Sequence, residues 1–118
     1  MLNTVIETPA YLSSAKAEGM TAEEMKTVVD MIAADPMAGV LIRGSGGCRK
    51  MRVAGRGKGK SGGYRVVTFF GGAGVPVFLI AVLSKGSDAN FSDAQVNAMA
   101  KVSARLVESL GPRAMTTS

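Results

Sequence analysis

Three consecutive segments decide the fold: CRKMRVA at residues 48–54, GRGKGKSGG at residues 55–63 and YRVVTFF at residues 64–70. The first alternates large apolar with cationic side chains, which on a pleated strand places Met51 on one face and Lys50 and Arg52 on the other. The second has no apolar side chain to bury, and the third is rich in β-branched and aromatic residues. The pattern predicts a β-hairpin with one apolar face, one charged face and a cationic tip.

Positive charge is concentrated around this hairpin. Of the chain's 14 basic residues, eight lie between positions 43 and 65, and no acidic residue occurs from position 36 to position 87. These eight are Arg43, Arg49, Lys50, Arg52, Arg56, Lys58, Lys60 and Arg65. The net charge of +5 is therefore concentrated around the hairpin, where it creates a strong positive potential. It favours a polyphosphate partner, because each neutralised phosphate releases condensed counterions and adds affinity, and the sequence points to nucleic acid.

Length and composition indicate a single domain. A chain of 118 residues can bury one core without a disulfide or a metal. We expect the domain to span residues 1–111 and residues 112–118 to form a flexible tail. The lone Cys48 and the lack of any apolar run approaching about 18 residues predict a cytoplasmic protein in a reducing compartment. Histidine is absent and no cysteine cluster exists, so the sequence predicts neither a metal site nor a cofactor.

Helix starts and apolar runs place the other elements. Helix starts are marked by Thr8 before Pro9 and by capping boxes at residues 21–24 and 92–95. The patterns predict strands at 2–8, 40–42, 48–54, 64–70 and 77–83, and helices at 9–17, 22–34 and 93–110, the last closed by Gly111 and Pro112. This order predicts an α+β domain: an antiparallel sheet with two N-terminal helices and one C-terminal helix packed on one face.

The glycine-rich loop has two other interpretations. Residues 54–61 match a relaxed phosphate-loop pattern, but such a loop leads from a strand into a helix, whereas residues 64–70 are typical of a strand. A charge run can also be a solvated hairpin tip kept for solubility. Against that interpretation, the cations continue onto strand positions at Lys50, Arg52 and Arg65, where a sheet would hold them fixed.

A family resemblance is carried by the motifs GSGGCRKMRVA at residues 44–54 and GKGKSGGYRVV at residues 57–67, and by the strand at residues 78–85. In this order and spacing they resemble the RelE superfamily of type II toxin–antitoxin toxins, most closely its HigB branch. The resemblance covers nearly the whole chain. It implies a RelE-like fold and a metal-independent, ribosome-dependent mRNA endonuclease, in which the ribose 2′-OH attacks the adjacent phosphate. The implied partners are the ribosomal A site, mRNA and a cognate helix-turn-helix antitoxin.

Position by position, the resemblance implies two groups of site residues. The candidate catalytic residues are Lys50, Arg52, Arg65 and Lys85. Arg65 falls on the family's transition-state arginine, and Lys50 and Arg52 fall where basic residues activate the nucleophile or bind phosphate. The candidate RNA-binding residues are Arg49, Arg56, Lys58, Lys60, Tyr64 and Phe91. Phe91 is the nearest aromatic residue to the family's stacking tyrosine, and the general acid stays open between Tyr64 and Lys85.

Two alternatives remain open at this point. One is a non-enzymatic binder of RNA or the ribosome that has kept the fold and the charge. It stays open because Leu83 stands where many members of the family have an aromatic residue. The other is a relative of the ParE toxins, which inhibit DNA gyrase on the same scaffold without needing the cationic face.

Overall fold

The computed structural model describes residues 3–53, 63–72, 74–83 and 91–116, with side chains described as far as residue 109. Its elements in chain order are β1 (Val5–Glu7), α1 (Pro9–Ala17), α2 (Ala22–Ala34), β2 (Val40–Leu41), β3 (Cys48–Val53), β4 (Tyr64–Phe70), β5 (Val77–Leu83) and α3 (Asp93–Thr116). The predicted α+β class and the element order are confirmed. β4 and β5 have their predicted bounds, whereas β1 is shorter than predicted and β2 ends one residue earlier.

The five strands form one sheet in the order β1-β5-β4-β3-β2. Neighbouring strands are antiparallel except for β1, which runs parallel to β5. The pairing of β4 with β5 shifts by one residue: Thr68 pairs with Leu79. The preceding Val67 pairs with Ala81, which leaves Ile80 as an extra residue in β5, a β-bulge. The bulge lets Ile80 and Ala81 face the same side of the sheet.

Helices cover both faces of the sheet. On the α1–α2 face, both N-terminal helices share a core with the sheet that includes Tyr11, Val28, Met51, Val66 and Leu79. On the α3 face, the C-terminal helix packs over Cys48, Val67, Phe69, Phe78 and Ile80. The prediction that all three helices pack on one face is therefore wrong. The physical reason lies in β5, whose run VFLIAVL is apolar on both faces, so that each face needs a cover.

The three predicted helix starts are confirmed by their hydrogen bonds. At α1, Thr8 directly precedes the proline that begins the helix, and its Oγ1 accepts a hydrogen bond of 3.1 Å from Tyr11 N. At α2, Thr21 and Glu24 form the predicted capping box, with bonds of 2.9 and 3.0 Å. At α3, the reciprocal bonds between residues 92 and 95 are 2.8 and 3.1 Å. Each box satisfies amides that a helix start leaves without an intrahelical partner.

The end of α3 differs from the prediction. The helix continues past Gly111 and Pro112 and ends at Thr116. A proline inside a helix removes one intrahelical hydrogen bond and its ring crowds the carbonyl four residues earlier, a local cost that the helix bears where it passes this pair. The division into a domain of residues 1–111 and a tail stays a prediction. Neither α3 nor any other described helix combines the length and the apolar run needed to cross a membrane.

Buried polar contacts anchor α3 to the turn between β2 and β3. Ser103 Oγ donates to the carbonyl oxygen of Ser45 at 2.8 Å and lies 3.3 Å from Cys48 Sγ. Gly46 permits this approach, since a Cβ at that position would lie 3.1 Å from Cβ of Ser103. Burial raises the pKa of the Cys48 thiol. The anchor fixes α3 over the Cys48 end of β3, while Arg52 near the other end is exposed.

Candidate functional site

The alternation predicted for β3 separates core from charge. Met51 and Val53 are 8% and 4% exposed and belong to the core of the α1–α2 face. Lys50 and Arg52 point to the α3 face, because they follow Cys48, which packs there, at a spacing of two residues. Lys50 is half-buried and Arg52 is exposed.

The strand register brings Arg65 onto the same face. Arg52 pairs directly with Arg65 across β3 and β4, and Lys50 pairs with Val67. Directly paired residues of antiparallel strands share a face, with Cβ atoms about 5 Å apart. Lys50, Arg52 and Arg65 therefore form one group, which we call the cationic cluster. These are the residues that the sequence placed on a common charged face.

The cationic cluster lines a surface cavity of about 250 Å³ together with Val40 and Met51. Within the described residues, neither Arg52 nor Arg65 forms an ion pair with a carboxylate. The Nε atom of Arg65 is buried and has no hydrogen-bond partner in the same part of the chain. Like charges directly opposite each other destabilise a sheet, and a buried donor left unpaired adds to that cost. An anion placed between the two guanidinium groups would relieve both.

Phe91 lies beside the cationic cluster. The Nζ atom of Lys50 is 5.5 Å from the centroid of its ring, within the range of a cation–π contact. Phe91 is half-buried and packs against the core of the α3 face. The ring therefore helps to hold the Lys50 ammonium over the sheet. Stacking of Phe91 on RNA stays a prediction.

A second cavity, also of about 250 Å³, lies between α3 and the sheet. Its lining is apolar and includes Val67, Leu83, Phe91 and Met99. Val67 pairs with Lys50, and Leu83 is the cross-strand partner of Arg65. The apolar cavity therefore borders the cationic cluster. A charged surface next to an apolar recess suits a ligand with a phosphate and a flat ring, as in a nucleotide.

The position of Tyr64 contradicts its predicted RNA contact. The residue is 3% exposed and belongs to the core of the α1–α2 face, opposite the cationic cluster. Its hydroxyl donates to Glu24 Oε1 at 3.3 Å, so the phenol links β4 to the start of α2. A tyrosine commonly buries its ring while the hydroxyl finds a polar partner, which is the arrangement here. Burial on that face also removes Tyr64 as a candidate general acid.

The other predicted site residues lie away from the cluster or outside the described part. Arg49 points to the face opposite Lys50, where its Nη1 donates to the carbonyl oxygen of Gly39 at 3.5 Å. Its RNA contact therefore stays a prediction and is separate from the cluster. Outside the described residues lie Arg56, Lys58, Lys60 and Lys85.

Val40 was missed by the sequence analysis. It pairs with Lys50, so its side chain shares the face of the cationic cluster, and it forms part of the cavity wall. The sequence shows Val40 only as one residue of a short apolar strand. The pairing with β3 gives it a place at the site, and no spacing within the sequence fixes that register.

The chemistry open to this cluster is phosphate binding and charge stabilisation. Each guanidinium presents a planar fork of donors that matches phosphate oxygens, and an ammonium adds a point charge. Fixed donors of this kind stabilise the negative charge that develops on phosphoryl oxygens in a transition state. Across residues 3–53, 63–72, 74–83 and 91–116, no group of three or more histidine, cysteine or acidic residues is placed to hold a metal ion.

Comparisons with known proteins agree with the fold and with the sequence motifs. The model of a family described as "RelE toxin of RelE / RelB toxin-antitoxin system" matches residues 4–116. Among solved structures, an E. coli RelE toxin with two arginine-to-alanine substitutions, in the free state, matches with a TM-score of 0.55 and 20% identity. The match covers 86% of this chain and 97% of that chain, and at this identity it shows the RelE fold. Because the family match spans nearly the whole chain, this protein belongs to the RelE toxin family and is the toxin of a toxin–antitoxin module, with an antitoxin as its partner.

Proposed function

We propose that this toxin is a metal-independent, ribosome-dependent endoribonuclease that cuts mRNA during translation. The observation that supports it best is the direct pairing of Arg52 with Arg65, with Lys50 on the same face. Neither arginine is neutralised by a carboxylate of the described residues, so the two guanidinium groups keep their charge for a ligand. An RNA phosphodiester between the two guanidinium groups would supply the missing acceptors.

The proposed reaction needs no group that the chain lacks. The 2′-oxygen of a ribose attacks the adjacent phosphorus and gives up its proton to a water molecule, and the bond from phosphorus to the 5′-oxygen breaks. The products are a 2′,3′-cyclic phosphate and a 5′-hydroxyl, whose oxygen takes up one proton. In this reaction Arg65 stabilises the charge on the phosphoryl oxygens, and Lys50 and Arg52 bind the phosphate or activate the 2′-hydroxyl. Of the two candidate general acids, Tyr64 is buried on the opposite face, so we assign the role to Lys85. Lys85 lies outside the described residues.

The surroundings of the cluster support a nucleotide ligand over a bare anion. The apolar cavity under α3 begins at Val67 and Leu83, which pair with Lys50 and Arg65. A base next to the bound phosphate would find an apolar surface there. The ribosomal A site would present the mRNA, which places the toxin in the cytoplasm. In keeping with the HigB branch, we propose that the antitoxin carries a helix-turn-helix domain.

The test is to map transcript 5′ ends in cells that express the wild type, Arg65→Ala, Arg65→Lys or Lys16→Ala. We expect new ends inside translated frames for the wild type. Arg65→Ala should lower their yield by about 10²–10³-fold, the usual cost of losing one such donor. Arg65→Lys should recover only part of the activity, since it keeps the charge and loses the fork. Lys16→Ala is the matched control, because it removes an exposed charge from α1 on the other face of the sheet.

Three results would contradict the proposal. Unchanged cleavage by folded Arg65→Ala would remove the cluster from the reaction. Arrested translation with intact transcripts would indicate a non-enzymatic ribosome or RNA binder. DNA damage with intact transcripts would indicate a gyrase inhibitor. Thermal unfolding of each purified variant establishes that a loss of activity is not a loss of fold.

A further inference from the structure

The apolar cavity between α3 and the sheet has one polar side chain in its lining. Its volume of about 250 Å³ lies below the roughly 300–1,000 Å³ of pockets for drug-sized ligands, so it suits a single flat ring. Of the described residues that line it, only Gln95 has a polar side chain. Gln95 and Ala98 are exposed, so the cavity opens to solvent beside the start of α3. A ligand that enters there meets an apolar surface and one carboxamide.

The carboxamide of Gln95 is oriented by the capping box of α3. Ser92 N donates to Gln95 Oε1 at 2.8 Å, and Gln95 N donates to Ser92 Oγ at 3.1 Å. Because Ser92 N is a donor, it fixes the oxygen of the carboxamide, and the Nε2 amino group keeps its two N–H donors. Within the described residues, Nε2 forms no hydrogen bond. The lining of the cavity therefore includes a free donor group whose position is set by the helix start.

The cavity lies within the length of one nucleotide from the cationic cluster. Leu83 lines it and is the direct cross-strand partner of Arg65, one strand spacing of about 4.8 Å away. Val67 lines it from two residues further along β4, about 7 Å from Arg65. Phe91, whose ring contacts the Lys50 ammonium, lines it as well. A phosphate on the cluster and a base in the cavity can therefore belong to the same nucleotide.

The four bases differ in what they offer to a hydrogen-bond donor. Guanine has two adjacent acceptors, O6 and N7, whereas adenine has the N6 amino group beside its N7. Uracil, like thymine, carries a carbonyl acceptor where cytosine carries an amino group. An amino group such as Nε2 of Gln95 therefore bonds to guanine or uracil, but meets a second donor on adenine or cytosine. Of the two carbonyl bases, guanine has the larger ring system and covers more apolar surface, so the cavity favours guanine.

We propose that the cavity under α3 binds a guanine base of the RNA and that Gln95 is the residue that selects this base. The guanine lies against Val67 and Phe91, and Nε2 of Gln95 donates to its O6 or N7. The phosphate of the same nucleotide lies on the cationic cluster. The consequence, preferential cleavage next to guanine, rests on the proposed function. Recognition of the base does not require cleavage and is measured separately.

The binding experiment uses the full chain and the dinucleotides GpG and ApA, each with a 2′-O-methyl group that blocks cleavage. Repeating the base makes the result independent of which side of the phosphate enters the cavity. In NMR titrations GpG should bind at least about fivefold more tightly than ApA and should shift the side-chain amide resonances of Gln95. IpI, whose base keeps O6 and N7 but lacks the 2-amino group, should bind like GpG. Equal affinities for GpG and ApA, or unshifted Gln95 resonances on binding of GpG, would overturn the proposal.

Gln95→Glu separates base selection from the fold. Glutamate keeps an oxygen for Ser92 N, so the capping box is preserved, and it replaces the free donor with an acceptor. The added charge should weaken binding of both dinucleotides, while the ratio of the GpG affinity to the ApA affinity should fall to about one or below, because the carboxylate accepts from the N6 amino group of adenine. Asn97→Asp is the matched control, because it makes the same change of charge at an exposed position of α3 outside the cavity lining. An unchanged ratio in Gln95→Glu, or an equal fall in Asn97→Asp, would refute the role of Gln95.

Transcript mapping distinguishes this inference from the proposed function. If both hold, the new 5′ ends of the wild type lie next to guanine more often than chance allows, and Gln95→Glu loses this bias. Cleavage without a guanine bias, or with a bias that Gln95→Glu keeps, would overturn the selection by Gln95 and leave the cleavage standing. Tighter binding of GpG by a toxin that leaves transcripts intact would contradict the cleavage and support the base site.

Discussion

Replacing Arg52 with glutamine should make the protein more stable while it weakens the proposed site. Arg52 lies directly opposite Arg65 on β3 and β4, and no described carboxylate neutralises either of them. Such a pair is retained at a cost to the fold. Arg52→Gln removes the repulsion and keeps a polar side chain of moderate length.

The size of the gain follows from the position of the pair. At a separation of about 6 Å, two unit charges repel by roughly 0.7 kcal/mol in water and by roughly 3 kcal/mol at an effective dielectric constant of about 20. Arg52 is exposed, so the repulsion within the pair should be close to the value in water. The interaction energies typical of charged cross-strand pairs, about 0.2–1 kcal/mol, agree with that value. We therefore expect the melting temperature of Arg52→Gln to rise by roughly 1–5 °C.

The assay is thermal and urea unfolding at low and high salt. Arg49→Gln is the control, because it makes the same change in charge on the same strand and its cross-strand partner is the neutral Thr68. The gain of Arg52→Gln over Arg49→Gln should shrink between about 0.1 M and 1 M salt, as the Debye length falls from about 10 Å to about 3 Å. A double variant with Arg65→Gln should gain less than the sum of the two single variants. Equal stability of Arg52→Gln and Arg49→Gln, or a gain independent of salt, would refute the repulsion.

Buried groups elsewhere in the fold give three more expected outcomes. The pKa of Tyr11 is raised to about 12, by burial first and by the charge of a nearby glutamate second. The pKa of this phenol is higher in the folded state than its unfolded value of about 10, so the stability that the neutral phenol contributes is complete below pH of about 10. Roughly 2–3 kcal/mol of that stability is lost as the pH rises through 12. Tyr11→Phe should therefore flatten the dependence of stability on pH in the alkaline range. Ser103→Ala leaves the buried carbonyl of Ser45 unpaired and should cost about 1–3 kcal/mol of the free energy of unfolding, measured in urea. If Ser103 anchors α3, its loss should also make the Cys48 thiol react faster with a disulfide reagent, and an unchanged reaction rate would contradict the anchor. Gly39 has a φ of +94°, and a Cβ at this position would collide with the β3 backbone. Gly39→Ala should therefore lower the free energy of unfolding by roughly 2 kcal/mol or more, measured by thermal unfolding. Gly19→Ala is the control and should cost clearly less, because its φ of +77° is similar but the space around it is open.

Local sequence signals were sufficient for the elements and for the charged strand. Capping side chains act within one turn of the helix, so the pattern at residues 21–24 predicted the bonds that the structure contains. The alternation along β3 likewise depends only on the pleat, and it separated Met51 from Lys50 and Arg52 correctly. These predictions hold because the interactions that determine them are close in sequence.

The packing of distant elements could not be predicted in the same way. α3 was expected on the face of the other helices, although β5 is apolar on both sides and therefore needs two covers. The family resemblance placed Tyr64 at the RNA surface. Tyr64 adjoins Arg65, however, and adjacent residues of a strand point to opposite faces, so that Arg65 faces the cluster and Tyr64 the α1–α2 core. The place of Val40 depends on its pairing with Lys50. Register across a sheet is set by turns and by packing, and single-sequence periodicity contains neither.

The chemistry of the α3 face changes along β3 in steps of two residues. Cys48 is fully buried beneath α3, Lys50 lies at the border against Phe91, and Arg52 is exposed beyond it. The anchor at Ser103 fixes α3 at the buried end of this gradient, which leaves the charged end open. A slip of one residue in β3 would turn its cations toward the α1–α2 core, where unpaired charges cost several kcal/mol or more. The register that keeps charge out of the core is therefore the same register that assembles the cationic cluster, so stability and the proposed activity favour the same register, although the Arg52–Arg65 pair itself costs stability.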